Sequence, residues 1–247
     1  MRFFCLLILS TLLNHSEIHV TIKAIVFDAY GTLFNVYAIA SEAERIFPHH
    51  GEALAAMWRD KQIEYTRLRS MCSMYKPFWE VTQDALVFCC KKMNLDLDVN
   101  AQKSLMGQYA NLPLFPENLE VLEQLQQQGY KLAVLSNANT EMLEGIVKSA
   151  GMETLLPHLL SADSVQKFKT APEVYQLGTD LFGLPARDIL FVSGNCWDVC
   201  GATWFGYASF WVNRTGSPLE ELGVAPHGQG QSLTDLLDFV AQQSDQN

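Results

Sequence analysis

The 247-residue chain has few basic residues, 17 Lys and Arg against 27 Asp and Glu, and they form no cluster. This charge balance argues against nucleic acid as a partner. The six cysteines form no C-x-x-C pair and no Cys/His spacing typical of a metal site, so we expect buried free thiols. Internal repeats and low-complexity tracts are also lacking. With 49% apolar residues, the chain is expected to form a sizeable core, alone or with a smaller inserted domain.

An apolar run at positions 3–13 follows Arg2 and has the charge and length of a secretory signal, too short to span a membrane comfortably. The residues after it lack a small-x-small cleavage site, and translation that begins near Val20 is an equal alternative. We therefore interpret residues 1–20 as a signal-like or mis-started extension that lies outside the folded domains. We expect no stable membrane anchoring and a cytoplasmic protein, or a periplasmic one if residues 1–20 act as a signal peptide.

An apolar, β-branched run from Ile22 to Phe27 predicts a buried parallel strand that ends at Asp28. Helical periodicity then predicts four helices, over 37–47, 51–73, 77–93 and 99–110. Farther on, helices (117–128, 140–150, 172–182, 232–241) alternate with strands (131–135, 189–192, 207–212) and a short apolar stretch at 159–160. The pattern predicts an α/β fold: a doubly wound, Rossmann-like parallel sheet as the core domain (21–34 and 115–247) and an inserted four-helix cap domain (35–114).

Polar side chains follow each predicted strand at its carboxyl end. They are Asp28 and Thr32 after the first strand, Ser136 and Asn137 after the second, Lys169 and then Tyr175 in the next connection, and Ser193, Asn195, Trp197 and Asp198 after the fourth. In a doubly wound sheet these groups converge on one crevice. Together they make a set suited to nucleophilic attack and charge stabilisation rather than to core packing.

The order of these motifs resembles the haloacid dehalogenase superfamily and, more narrowly, the type II L-2-haloacid dehalogenases. The resemblance runs from about Ile22 to about Gly223, and residues 58–66 are similar to the W-R-x-K-Q-x-E-Y stretch of that group. It implies hydrolytic dehalogenation of L-2-haloalkanoic acids to D-2-hydroxyalkanoic acids and halide. Four separated motifs in the right order are a specific signal, although each one alone would be weak.

Two departures separate the chain from the phosphatases of that superfamily. Tyr30 stands where they carry a second Asp that protonates the leaving alcohol. Ser193, Gly194 and Asn195 stand where they carry the first acid of a magnesium-binding cluster, and only Asp198 remains. A hard divalent ion needs several anionic oxygens, so no metal and no cofactor are expected. A phosphate-ester hydrolase and a catalytically idle binding protein are the alternative hypotheses.

The resemblance assigns the covalent chemistry to Asp28, which would attack C2, expel halide and form an ester with inversion. Lys169 and Thr32 would keep its carboxylate ionised, while Asn195 and Asp198 would position the water that hydrolyses the ester. Ser193 completes the catalytic set.

The substrate-binding assignments follow from the same resemblance. Arg59 would bind halide with help from Asn137, and Ser136 would bind the substrate carboxylate with backbone amides near Ala29 and Tyr30. The side chains of Tyr30, Phe78 and Trp197 are candidates for an apolar wall, and Tyr175 either packs or orients the Lys169 amine. Asp60, next to Arg59, is expected to face water, and the resemblance implies a homodimer.

Overall fold

A six-stranded parallel sheet forms the centre of the computed structural model, which describes residues 22–244. Its strands are β1 (Ala24–Phe27), β2 (Lys131–Ser136), β3 (Leu159–Ser161), β4 (Ile189–Ser193), β5 (Ala208–Val212) and β6 (Gly228–Gly230). They lie in the order β3-β2-β1-β4-β5-β6, and every neighbouring pair is parallel. This order confirms the predicted doubly wound α/β fold. The signal-like segment lies outside the described residues.

Four helices occupy the chain between β1 and the rest of the sheet. They are α1 (Ile39–Ile46), α2 (Gly51–Met71), α3 (Phe78–Met93) and α4 (Val99–Tyr109), preceded by a short 3₁₀ turn at Val36–Ala38. These helices pack on one another, with α2 in contact with both α1 and α3, and α4 in contact with α1 and α3. They match the four helices that periodicity predicts for this segment, with ends that differ by at most two residues.

The remaining helices cover both faces of the sheet. They are α5 (Asn118–Gln127), α6 (Thr140–Ser149), α7 (Pro172–Phe182), α8 (Cys196–Phe205) and α9 (Asp235–Ser244). Successive side chains of a strand point to opposite faces. Ile25 and Phe27 accordingly pack with residues of α5, α6 and α9, whereas Ala24 and Val26 pack with residues of α7 and α8. Helices on both faces explain why β1 and β4 are buried at every residue.

Helix α8 and strand β6 were not predicted. Helix α8 carries apolar residues on all sides, so its sequence has no polar face to mark a helical period. Strand β6 has the sequence Gly-Gln-Gly, which has no strand-like side-chain pattern, and forms through backbone pairing with β5. The closing helix α9 begins three residues later than predicted. No helix within residues 22–244 is both long and apolar enough to cross a membrane.

Candidate active site

The carboxyl ends of β1 and β4 meet where the strand order of the sheet reverses. Asp28 directly follows β1, and its backbone N–H donates to the carbonyl of Val192 in β4 over 2.9 Å. The chain then turns tightly: Gly31 adopts φ +91°, and the N–H of Leu33 returns to the Ala29 carbonyl over 2.9 Å. A positive φ of this kind favours glycine. The turn places Asp28 in the crevice where open α/β sheets bind ligands.

Three side chains donate hydrogen bonds to the Asp28 carboxylate. Lys169 Nζ lies 3.0 Å from Oδ1, while Thr32 Oγ1 and Asn195 Nδ2 lie 2.7 Å and 2.8 Å from Oδ2. Ser193 Oγ lies 3.4 Å from the same Oδ2. Hydrogen bonds of this type stabilise the negative charge and fix the direction of the carboxylate oxygens. The side chain is 6% exposed, so little water competes with a substrate for these oxygens.

Lys169 bridges the two acids of the site. Its Nζ lies 2.8 Å from Asp198 Oδ2 as well as 3.0 Å from Asp28 Oδ1, and all three side chains are buried. The pKa of Asp198 is raised to about 6. Burial raises it most, the Lys169 charge lowers it, and the nearby Asp28 charge also raises it. A carboxyl with such a pKa can exchange a proton near neutral pH.

Tyr175, predicted either to pack or to orient the Lys169 amine, lies against Asp198. Its hydroxyl donates to Asp198 Oδ1 over 2.7 Å and to the Asp198 carbonyl over 3.2 Å, and the side chain is fully buried. Burial raises the pKa of Tyr175, so the hydroxyl remains a donor. Tyr175 is thus linked to the Lys169 amine through Asp198, and its placement among the substrate-binding residues stays a prediction.

Arg59 extends from α2 to the loop that carries Asp28. Its Nη2 donates to the Tyr30 carbonyl over 3.1 Å and lies 3.4 Å from Asn195 Oδ1. Its Nη1 donates to Gln62 Oε1 over 2.7 Å, and Gln62 in turn donates to Thr82 Oγ1 of α3 over 2.6 Å. The guanidinium is thus fixed in direction before any ligand binds. Asp60 is exposed, in agreement with the expectation that it faces water.

Gln62 is a site residue that sequence reasoning missed. The signal for it is its position three residues after Arg59, which places the two side chains on the same face of α2.

Ser136 and Asn137 are buried at the carboxyl end of β2, and both bind backbone groups. Ser136 Oγ accepts a hydrogen bond from the Ala138 N–H over 3.2 Å, and Asn137 Oδ1 accepts one from the Lys169 N–H over 2.8 Å. Asn137 therefore holds the backbone of the residue whose amine binds Asp28. Asn137 is thus connected to the site by its hydrogen bond to Lys169. Its halide-binding role, which the resemblance implies, stays a prediction.

The aromatic candidates lie on two sides of the crevice. The ring centroids of Tyr30 and Phe78 are 6.2 Å apart, and both side chains are buried. Trp197 is half-buried, and its ring lies 5.1 Å from the Arg67 guanidinium carbon. A cleft of about 1040 Å³ lies between α2 and the loops after β4 and β5, and its lining includes Arg59, Asn195 and Trp197. Asn195, which donates to Asp28, is part of this lining.

The carboxylates of this site do not fit a magnesium ion. Asp28 and Asp198 each direct one oxygen at Lys169 Nζ, so a cation already lies between them. Within residues 22–244, no group of three or more His, Cys, Asp and Glu side chains is arranged to hold a metal ion. Magnesium sites use carboxylates together with water and substrate phosphate. The Lys169 amine thus places one positive charge between the two carboxylates.

The sheet order, the nucleophilic Asp28 and its lysine define a class of hydrolase. The chain belongs to the haloacid dehalogenase-like hydrolase family, whose model matches residues 22–206. A relative within that family, the (S)-2-haloacid dehalogenase of Pseudomonas sp. strain YL, is 42% identical over 218 residues, which cover 88% of this chain and 94% of the relative. These matches confirm the resemblance predicted from the motifs.

Solved structures of L-2-haloacid dehalogenases share the fold. One crystal structure is 54% identical, has a TM-score of 0.88, and is matched over 90% of this chain and 99% of its own. The L-2-haloacid dehalogenase from Xanthobacter autotrophicus, solved with chloropropionic acid covalently bound, is 33% identical with a TM-score of 0.83, over 89% of this chain and 98% of its own. The similarity spans nearly all of the described residues.

Proposed function

We propose that the protein hydrolyses L-2-haloalkanoic acids to D-2-hydroxyalkanoic acids and halide. The observation that carries the proposal is the pairing of a carboxylate nucleophile with an arginine on a facing helix. Asp28 receives three donors at one edge of the crevice, and Arg59 extends from α2 to the carbonyl two residues farther along the same loop. The family membership and the dehalogenase relatives support the same reaction.

The first step is displacement at carbon. A carboxylate oxygen of Asp28 attacks C2 of the substrate, the carbon–halogen bond breaks, and halide leaves with the bonding electrons. The product is an ester between Asp28 and the substrate, with C2 inverted. Lys169, Thr32 and Asn195 hold the carboxylate in one orientation, which lowers the entropic cost of alignment.

The second step is hydrolysis of the ester. A water positioned by Asn195 and Asp198 attacks the carboxyl carbon of Asp28, so the bond between C2 and oxygen survives and the 2-hydroxy acid leaves. Asp198 is suited to assist because its pKa of about 6 leaves it mostly ionised at neutral pH and still basic enough to accept a proton. The proton that Asp198 takes from the water passes to the departing oxygen of the hydroxy acid, and the new Asp28 carboxyl releases its proton to solvent, so the Lys169 amine again faces two carboxylates.

The helices α1 to α4 supply the halide side of the site. We infer that residues 35–114 act as a cap domain, because Arg59 and Gln62 both lie on α2 and Arg59 reaches across to Tyr30 and Asn195. A positive guanidinium stabilises negative charge that develops on the departing halogen. Asn137 is proposed to assist it, and Ser136 with the Ala29 and Tyr30 amides to bind the substrate carboxylate.

A single turnover in water labelled with a heavy oxygen isotope tests the pathway. With enzyme in excess over L-2-chloropropionate, we expect the label in the Asp28 peptide and none in the first hydroxy acid released. Label in the product without label in Asp28 would mean that water attacks C2 directly, and would contradict the ester pathway. Mass spectrometry of the peptide and of the product reads both outcomes.

The magnesium-dependent phosphatase alternative is tested with the same preparation. We expect chloride release from L-2-chloropropionate to be unchanged by a chelator, and hydrolysis of p-nitrophenyl phosphate to remain at background with or without magnesium. The matched control is Asp28→Asn, which retains the size of the side chain and removes the nucleophilic charge. Its halide release should fall about 10⁴-fold or more. Wild-type activity that requires magnesium would contradict the proposal.

We also propose that the protein forms a homodimer through the inserted helices. The support is an exposed apolar strip toward the end of α2 and just after it, where Leu68, Met71 and Met74 are 49%, 81% and 65% exposed. Side chains of this type favour burial in an interface. Light scattering of the full chain measures the mass, and Met71→Glu should shift it toward the monomer.

A further inference from the structure

The hydroxyl of Tyr30 is buried and has no hydrogen-bond partner. Within residues 22–244, it is one of three buried side-chain polar atoms in this condition, with Asn139 Oδ1 and Arg214 Nε. The Tyr30 side chain is 3% exposed. A buried hydroxyl without a partner costs free energy, and a role at a functional site is one explanation for such a group.

Three rings surround the ring of Tyr30, two from the inserted helices and one from the loop after β1. The centroids of Phe34, Phe78 and Tyr109 lie 6.4 Å, 6.2 Å and 6.2 Å from that of Tyr30. Phe78 begins α3 and Tyr109 ends α4, so the Tyr30 ring extends from the sheet edge into the helical layer. The apolar surroundings keep bulk water away from the hydroxyl.

Charged groups of the site lie within electrostatic range of this hydroxyl. Burial raises the pKa of Tyr30 most, Tyr109 and Asp28 raise it further, and the Arg59 guanidinium lowers it. The hydroxyl therefore stays protonated and serves as a donor. Arg59 is also joined to the backbone of Tyr30, through the 3.1 Å hydrogen bond from Nη2 to its carbonyl.

The direction of the displacement decides which part of the substrate meets the hydroxyl. An attacking oxygen and a departing halogen lie on opposite sides of C2, so halide leaves away from Asp28. In this protein the Arg59 guanidinium comes from the inserted helix α2, and the Tyr30 ring packs against Phe78 and Tyr109 of the same helical layer. The substrate carboxylate, in contrast, is assigned to the sheet edge near Ser136.

Resting on the proposed function, we propose that the Tyr30 hydroxyl donates a hydrogen bond to the departing halide, together with Arg59. Tyr30 then has two roles, an apolar ring at the substrate and a hydroxyl for the anion. The bond strengthens as charge builds on the halogen, so it stabilises the transition state more than the bound substrate. The benefit is greatest for chloride, which is small and leaves less readily, and smallest for iodide.

Tyr30→Phe tests the hydroxyl because it removes one oxygen and retains the ring. Single-turnover halide release is measured for L-2-chloro-, L-2-bromo- and L-2-iodopropionate. We expect the rate to fall about 10- to 100-fold for the chloro acid, the loss typical of a hydrogen bond to a charged group, and much less for the iodo acid. The melting temperature should not decrease, because an unpartnered buried polar group has been removed.

Tyr65→Phe is the matched control. Tyr65 lies on α2 with its ring against Phe88, and all three rates should equal those of the wild type. A loss in Tyr30→Phe that is equal for the three halogens would indicate altered packing and overturn the proposal, as would rates equal to the wild type.

Bromide binding separates this proposal from the proposed function. Sodium bromide is titrated against the free enzyme, and Tyr30→Phe should weaken its binding about tenfold or more. If the wild type releases no halide from any of the three acids, the proposed function fails. Weaker bromide binding in the variant would then still support a hydrogen bond from the Tyr30 hydroxyl to an anion. Unchanged bromide binding would overturn the proposal.

Discussion

The Tyr175 hydroxyl lies 2.7 Å from Asp198 Oδ1, on the side of that carboxylate opposite the Lys169 amine. Asp198 thus receives a neutral donor on one oxygen and a cation on the other. Both hydrogen bonds favour the ionised form and lower the pKa of Asp198, while burial raises it. The resulting value of about 6 depends on this balance, so each partner sets the pH at which the acid changes charge.

Activity should decline below about pH 6, where Asp198 takes up a proton. A neutral Asp198 binds the Lys169 amine less tightly and cannot assist the water, so ester hydrolysis slows. In Tyr175→Phe a hydrogen bond that lowers the pKa is lost, and the acid limb should move to higher pH. Rates of ester hydrolysis against pH measure both, with Tyr65→Phe as the control. An acid limb that moves to lower pH would contradict this assignment.

Lys169→Met should destabilise the fold by about 3–5 kcal/mol near pH 8, because two buried carboxylates lose the cation that they share. The folded-state pKa of Asp198, about 6 in the wild type, already lies above its ordinary value, and it rises further without the Lys169 charge that lowers it. The stability present at low pH is therefore lost as the pH rises through the folded pKa. The destabilisation should therefore be smaller near pH 5. Urea unfolding at the two pH values measures the difference.

The control for that variant is Lys167→Met, two residues away. Lys167 forms an exposed ion pair with Glu173, so its removal should change stability by less than about 1 kcal/mol at either pH. Equal losses in the two variants would mean that the buried amine has no special role in stability.

Gln62→Leu should reduce the rate of halide release about tenfold with a smaller change in KM. The variant loses the 2.7 Å hydrogen bond that fixes Arg59 Nη1, and a guanidinium free to turn stabilises the departing halide less well. Single-turnover rates test this, with Gln176→Leu on the exposed side of α7 as the control. A change in KM alone would assign Gln62 to ground-state binding instead.

Gly201→Ala should lower both stability and activity. A Cβ at Gly201 would lie 2.5 Å from Tyr175 Oη and 2.6 Å from Thr170 Cγ2, so the added methyl must displace Tyr175 from Asp198. Overpacking of this kind costs about 1–3 kcal/mol. Gly145→Ala on α6, where a Cβ would meet nothing within 4 Å, should instead stabilise by about 0.5–1 kcal/mol. Thermal unfolding and halide release compare the two.

Much of the fold follows from local sequence patterns. The β-branched run of β1 and the helical periods of α1 and α6 are strong because burial on one or both faces demands them. Helix α8 escapes prediction because it is apolar all round, and β6 because its two glycines reveal only backbone pairing. In both cases the element forms because of its contacts with other parts of the fold, which its own sequence does not reveal.

The site divides in the same way. Its position follows from the rule that ligands bind at the carboxyl ends of the strands, which places Asp28 and Asp198 in one crevice. The side-chain partners do not follow from that rule, because they depend on rotamers and packing. Tyr175 binds Asp198 instead of Lys169, and Gln62 fixes Arg59 from the next turn of the same helix.

The central place of β1 in the sheet has a consequence for how the protein acquires its reactivity. Asp28 leaves the ribosome early, yet Asn195, which directs its carboxylate, is 167 residues farther along the chain. Pairing over such separations is slow, because loop closure comes before any favourable contact. Until β4 docks beside β1, the carboxylate is an ordinary solvated acid. We therefore expect reactivity toward substrate only once the sheet is nearly complete, and none in a shortened or half-folded chain.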